Sequence, residues 1–441
     1  MRQISAQPTS HISDLPSARG VAIDLLGTVL HRKRSLDDAI DDNHDMANLA
    51  PRDRAFARLL IATVLRRLGQ IDALVEHCLN TPLPPRAAVV HDMLRLGVAQ
   101  LLFLRTPPHA AVATTVDLAG ARGFPTYKGL VNAVLRRLSL EGPGLLETQD
   151  APKLNTPQWL WDAWSAAYGA ATARAIAVAH LKEAPLDITV RGNASEWAAR
   201  LDAVILPTGT LRRHSGGAVM SLPGYDEGAW WVQDAATALP ARLLGPLVGK
   251  RVIDLCAAPG GKTAQLAAAG GNVIAIDRSP RRLERLKTNL TRLHLEAECI
   301  AADAATWHPP EPVQFILLDA PCTATGAIRR HPDVPHLKST DDVARLAAVQ
   351  EKLLDSAIRM LAPGGTLVYC TCSLEPEEGV DHVTRLLAAG APVVRQPITP
   401  AEIGGLEASV TAEGDLRTLP CHLAEIDGLD GFFAARLVKA R

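Results

Sequence analysis

The stretch Val252-Ile-Asp-Leu-Cys-Ala-Ala-Pro-Gly-Gly-Lys-Thr-Ala-Gln-Leu266 decides the fold of the chain. Residues 252–255 read as a short buried strand, Pro259, Gly260 and Gly261 force a tight turn, and 263–269 reads as the start of a helix. Such a turn offers free backbone N–H groups and a positive helix end to a ligand. Two nucleotide readings compete. A phosphate loop needs Gly, four residues, then Gly-Lys-Ser/Thr. Gly261-Lys262-Thr263 supplies its end, but Cys256 stands where the first glycine belongs. The alternative is a doubly wound sheet whose second strand ends in an acid that holds a ribose. Asn272-Val-Ile-Ala-Ile-Asp277 is such a strand, and Asp277 follows Asp254 by roughly the 20 residues expected. The turn together with Asp277 points to a nucleoside cofactor without a phosphate tail.

The remaining sequence fits this frame. From 250 onward strands alternate with helices, at 251–256, 273–277, 297–300, 314–319 and 366–371, as an open parallel α/β sheet requires. Gly431 to Val438 reads as a final antiparallel edge. Residues 17–139 read as all helix. Val21, Ala22, Leu25, Leu26, Val29 and Leu30 share one face, and Pro51 opens a longer helix. The segment from Glu141-Gly-Pro-Gly144 to Asn155-Thr-Pro157 reads as a linker. Residues 183–240 mix short strands and helices. The domain expectation is therefore a helical bundle at 17–139, a linker and small α/β subdomain at 140–240, and a Rossmann-like α/β domain at 241–441.

Composition excludes several classes. The chain has 441 residues, 47% of them hydrophobic and 21% charged, enough for a core in two or three domains. A net charge of −1 gives no global basic field, so nucleic-acid binding must rest on local patches. Residues 1–10 lack the apolar core of a signal peptide, and no apolar run reaches membrane-spanning length. Seven scattered cysteines without framework spacing point to a reducing cytoplasm.

Ligands in such sheets lie beyond the carboxyl ends of the strands. Strand 314–319 runs into Asp319-Ala-Pro-Cys322, and strand 366–371 into Thr371-Cys372-Ser373. An acid and two thiols at neighbouring strand ends suggest nucleophilic catalysis by cysteine. Cys78, Cys256 and Cys299 lie in apolar settings and read as structural thiols. Cys370 is expected to point away from Cys372. A zinc site is disfavoured, because Cys322, Cys370 and Cys372 form no paired C-x-x-C knuckle. Trp159, Trp161, Trp164, Trp230 and Trp231 read as packing residues. The basic clusters at 32–34, 66–67 and 136–137 read as solvated helix faces, with an RNA-facing surface as the sharper alternative.

Two resemblances follow. Val21-Ala-Ile-Asp-Leu-Leu26 with Arg32-Lys-Arg34, Asp53-Arg-Ala-Phe-Ala-Arg58, and Lys128-Gly-Leu-Val-Asn-Ala-Val-Leu-Arg-Arg137 resemble the RNA-binding antitermination factor NusB. Thr114-Thr115-Val116 departs from that pattern, which has an acid before the valine. Asp254-Leu-Cys-Ala-Ala-Pro-Gly-Gly-Lys-Thr263, Asp319-Ala-Pro-Cys322 with Arg329-Arg-His-Pro-Asp333, and Thr371-Cys-Ser373 with Glu375-Pro-Glu-Glu378 resemble S-adenosylmethionine-dependent RNA cytosine-C5 methyltransferases. With the NusB-like region in front, the resemblance implies a bacterial enzyme of 16S ribosomal RNA, cytoplasmic and monomeric, without membrane or metal.

The resemblance also implies site residues. Cys372 would be the nucleophile, Cys322 a second thiol aiding proton removal or adduct release, and Asp319 the contact to the cytosine ring and to the cofactor. Cys256, Ala257, Ala258, Pro259, Gly260, Gly261 and Lys262 would line the S-adenosylmethionine loop. Asp277 would take the ribose hydroxyls and Asp303 the adenine amine. Arg329 and Arg330 would meet RNA phosphate. The match leaves the role of Lys262 open.

Overall fold

The computed structural model describes residues 17–214 and 217–441. The absence of a signal-peptide core, read from residues 1–10, falls outside them. The chain divides into two compact units, with the boundary between Asn155 and Thr156.

The first unit is helical. Its principal helices are Ala18–Leu30, Pro51–Arg66, Leu68–Cys78, Ala88–Val98, Pro108–Ala121 and Lys128–Thr148. The first begins where Ser17 accepts a hydrogen bond from the Gly20 N–H, the side-chain cap its sequence position suggests. Val21, Leu25, Leu26 and Val29 are buried on its inner face. Burying each such side chain is worth roughly 1.5–3 kcal/mol. The linker reading fails here. The last long helix runs through Pro143 to Thr148, and Gly142 packs so closely on Leu102 that a Cβ would approach its methyl carbon to 2.8 Å. Asn155 then donates to Gln70 at 2.9 Å, and Gln70 donates to Gln149 at 3.1 Å. Packing thus overrides the local breaker signal, and the segment belongs to the helical unit.

The second unit holds two sheets. The smaller comprises β1 (Leu186–Val190), β2 (Val204–Ile205), β3 (Leu211–Arg213) and β4 (Trp230–Val232), in the order β2-β3-β1-β4. Ile188, Leu211, Trp197 and Trp230 form its core. The larger comprises β5 (Arg251–Leu255), β6 (Asn272–Asp277), β7 (Glu298–Ala301), β8 (Val313–Asp319), β9 (Leu361–Thr371), β10 (Val393–Arg395), β11 (Leu416–Thr418) and β12 (Phe432–Lys439). Its order is β10-β12-β9-β8-β5-β6-β7, with β11 also pairing to β12. Strands β5 to β9 run parallel, and β12 is antiparallel to β9. β12 was expected at the edge, but β10 and β11 cover its outer side.

Both faces of this sheet are buried, which explains its apolar strands. Ile253 and Leu255 pack with Leu353, Leu354 and Ala357 of the helix Thr340–Met360. Val252, facing the other way, packs with Leu244, Leu247 and Leu266. Strand order reverses at β5, which has β6 on one side and β8 on the other. A crevice is therefore expected beyond the carboxyl ends of β5 and β8.

Candidate active site

The loop leaving β5 is unusual from its first residue. Cys256 has φ of +62°, a conformation glycine adopts without steric penalty. The residue that broke the phosphate-loop pattern thus occupies a glycine-like backbone position. Gly260 has φ of +104°, and a Cβ there would meet Leu286 at 2.7 Å. The helix Gly261–Ala268 starts immediately afterwards.

Two acids flank this loop, and a third lies beyond β7. Asp254 is fully buried, and its Oδ2 accepts from Thr263 at 2.6 Å. Its Oδ1 has no partner, and burial pushes its carboxyl up to about 7. Asp277 closes β6. Its Oδ2 accepts from the Ala258 N–H at 3.2 Å and its Oδ1 from the Ser279 N–H at 2.9 Å. Asp303, beyond β7, is exposed and accepts from the Ala305 N–H at 2.9 Å.

Lys262 does not reach toward a phosphate position. It is 6% exposed, and its Nζ donates to Asp319 Oδ2 at 2.7 Å while lying 4.8 Å from the centre of the Phe432 ring. Burial alone would lower its ammonium, but the Asp319 carboxylate holds it above the usual lysine value. The phosphate-loop reading therefore has neither its glycine nor its lysine. An orphaned buried acceptor, flanking carboxylates and an internally paired lysine instead fit a cofactor with ribose hydroxyls and a cationic end.

The two thiol loops meet beside this loop. Cys322 Sγ and Cys372 Sγ are 3.5 Å apart, and both residues are partly exposed. The contact to Cys372, then burial, pushes the Cys322 thiol well above its ordinary value. Cys370 corrects an expectation. It does not turn away from the cleft, because its Sγ donates to Asp319 Oδ1 at 3.6 Å. Residues two apart on a strand share a face, and Cys370 pairs in register with Asp319. Burial and then Asp319 keep Cys370 a neutral thiol. Cys256 is likewise pushed up to about 12, chiefly by burial.

Glu375 and Glu378 were quoted in the motif without a role. Glu378 accepts from the Thr323 N–H at 3.0 Å, from the Thr323 hydroxyl, and from Gln350 at 3.1 Å. Glu375 accepts from Ser373 at 3.0 Å, Trp164 at 3.2 Å and the Thr325 hydroxyl. Each carboxylate thus ties the Cys322 loop to the loop that carries Cys372. Gly326 closes the arrangement, donating to the Cys372 carbonyl at 2.9 Å so near Gly431 that a Cβ would overlap its backbone. Closeness to Cys372 in the sequence was the one available signal for the two acids.

Arg329 and Arg330 depart from expectation. Arg329 is 1% exposed and donates to Asp430 at 3.1 Å. Arg330 meets Asp234 at 2.7 Å, Asp430 at 3.0 Å and Asp187 at 3.6 Å. These guanidinium groups join the smaller sheet to the larger one and are not presented to RNA phosphate. Their partners lie far away in sequence, so no local signal marked them.

Comparison with known proteins decides the family. Residues 241–438 match the family model of the 16S rRNA methyltransferase RsmB/F, and residues 16–139 match the NusB family. The ribosomal RNA small subunit methyltransferase B of Pseudomonas putida is 37% identical over 94% of this chain and 96% of its own length. The chain belongs to the ribosomal RNA small subunit methyltransferase B family. The Klebsiella pneumoniae protein of that family is 34% identical over 92% of this chain and 97% of its own length. The solved structure of PH0851 shares the fold, with a TM-score of 0.75 at 22% identity over 96% of this chain and 99% of that one. Membership makes the chain an S-adenosylmethionine-dependent methyltransferase with a NusB-type helical region. Among the described residues no helix is long and apolar enough to cross a membrane.

Proposed function

We propose that the protein methylates carbon 5 of a specific cytosine in 16S ribosomal RNA through a covalent adduct between Cys372 and carbon 6. The observation that carries this reading is the pair of thiols, Cys322 and Cys372, held 3.5 Å apart beside Asp319. Carbon 5 of cytosine is a poor nucleophile. A thiolate adding to carbon 6 converts the ring to an enamine whose carbon 5 can attack an electrophile. When bound, S-adenosylmethionine supplies that electrophile as a sulfonium methyl group.

The residues divide the remaining work. The 256–262 loop, Asp277 and Asp303 would hold the cofactor, Asp277 taking its ribose hydroxyls and Asp303 its adenine amine. Cys372 forms the bond to carbon 6, and Asp319 contacts N3 and the exocyclic amine as the thiolate adds. Lys262, already paired with Asp319, keeps that acid oriented. After transfer, removal of the carbon 5 proton reforms the 5,6 double bond and expels Cys372, a stage assigned to Cys322. The target base must be unstacked to reach the thiol.

The test is methylation of protein-free 16S ribosomal RNA against transfer RNA, followed by mapping of the modified base. The reading requires 5-methylcytosine at one site of the 16S molecule. Preference for transfer RNA, or methylation on another atom, would overturn it.

A further inference from the structure

Cys372 leaves β9 on a turn whose next three residues, Ser373, Leu374 and Glu375, are buried. Buried backbone carbonyls must find donors, and this turn draws them from three separate parts of the chain. The Cys372 carbonyl accepts from the Gly326 N–H at 2.9 Å, the Ser373 carbonyl from the Arg417 guanidinium at 2.5 Å, and the Leu374 carbonyl from the Tyr168 hydroxyl. Gly326 belongs to the Cys322 loop and Arg417 to β11. Tyr168 ends the helix Gln158–Tyr168, which lies in neither of the segments matched by the two family models.

One face of that helix meets the turn. Leu160, Trp164 and Tyr168 are spaced four residues apart and so line up along it. Leu160 and Trp164 are buried with Ile328 and Leu374, and Tyr168 packs against the same cluster. Trp164 Nε1 donates to Glu375 at 3.2 Å, and Glu375 accepts from the Ser373 hydroxyl at 3.0 Å. The helix therefore grips the turn twice: directly at the Leu374 carbonyl and, through Glu375, at the residue beside Cys372. Apolar packing needs only the two rings. The hydroxyl and the indole N–H add direction, because a hydrogen bond weakens steeply when its geometry is lost.

We propose that Tyr168 and Trp164 are positioning residues for methyl transfer, fixing the turn that follows Cys372 so that its thiol is aimed at carbon 6 of the base. Both act through other groups, Tyr168 through the Leu374 carbonyl and Trp164 through Glu375. The active site is then completed by a helix that precedes the segment of the methyltransferase family model. The inference rests on the Cys372 reading above, and separate measurement of turnover and of the covalent complex keeps the two distinguishable.

The experiment compares the wild-type full chain with Tyr168→Phe, Trp164→Phe and, as a control, Trp230→Phe. Tyr168→Phe removes one hydroxyl and keeps the ring. Trp230→Phe deletes a comparable buried donor, the 2.8 Å bond to the Pro223 carbonyl in the smaller subdomain. Methyl incorporation into protein-free 16S ribosomal RNA gives kcat and KM, and binding of S-adenosylmethionine and urea unfolding are followed alongside. Tyr168→Phe and Trp164→Phe should each lower kcat roughly tenfold, short of the hundredfold that a shift of about 1 Å costs, with KM and cofactor affinity nearly kept. Trp230→Phe should keep kcat in its folded fraction. Combined with Cys322→Ala, Tyr168→Phe should slow formation of the covalent RNA complex by the same factor. A kcat within about twofold of wild type in folded Tyr168→Phe, an equal loss from Trp230→Phe, a loss confined to KM, or a complex that forms at an unchanged rate would each overturn the positioning role. A fall in kcat without any covalent complex in Cys322→Ala alone would defeat the adduct reading and leave the positioning role standing.

Discussion

The backbone N–H of Thr323 points at both carboxylate oxygens of Glu378, at 3.0 and 3.2 Å, and the Thr323 hydroxyl binds the same group. Thr323 is the neighbour of Cys322, and Glu378 stands six positions after Cys372. One buried acid therefore helps to set the separation of the two thiols.

Glu378→Gln replaces one of two acceptor oxygens with a donor, so the Thr323 N–H keeps only one of its two acceptors and the Thr323 hydroxyl must turn from donor to acceptor. The Cys322 loop should shift, and misplacement of reacting groups by about 1 Å costs roughly a hundredfold in rate. Steady-state kinetics should show kcat falling by about that factor with little change in cofactor affinity. A kcat within twofold of wild type would remove Glu378 from the positioning role.

The two cysteines should fail differently. Cys372→Ala should abolish methyl transfer and leave no covalent RNA complex, since the thiol assigned to carbon 6 is gone. Cys322→Ala should accumulate such a complex, because its proposed role comes after the addition. Labelled-methyl incorporation and a denaturing gel with cofactor present read both outcomes. Turnover by the Cys372 variant would exclude it as nucleophile.

Arg330→Ala should act on stability and not on RNA. It leaves Asp234 and Asp430 buried without one of their cations, and breaking such a pair costs about 3–5 kcal/mol. Denaturant unfolding should show a loss of this order, while the folded fraction binds RNA as wild type does. Normal stability with weakened RNA binding would restore the phosphate-contact role.

Acid dependence carries a definite sign. Asp254 rises from 3.8 to about 7 on folding and Glu375 from 4.5 to about 7, both mainly through burial. Between those limits the native state holds more protons than the unfolded one, so both groups make stability fall as pH rises from about 4 to about 7. For Asp254 the effect is on the order of 4 kcal/mol across that window. Asp254→Asn should flatten the decline measured by urea unfolding at several pH values. An unchanged slope would show that Asp254 titrates normally.

By itself the sequence determined the alternation of strands and helices after 250, the glycine turn at 256–262 and the acid, Asp277, at the end of β6. These follow from local periodicity and from the few residues a tight turn accepts, which act within a short window of chain. It also nominated Asp319, Cys322 and Cys372, because parallel strands deliver their carboxyl ends to one rim. Only the tertiary structure decided which charges face solvent. Arg329 and Arg330 are enclosed by acids about 100 residues away. Tertiary contact likewise carried a helix through Pro143, turned Cys370 onto Asp319, and made Glu375 and Glu378 the link between the two cysteine loops. Those outcomes depend on partners brought together by folding, and no local pattern encodes the meeting.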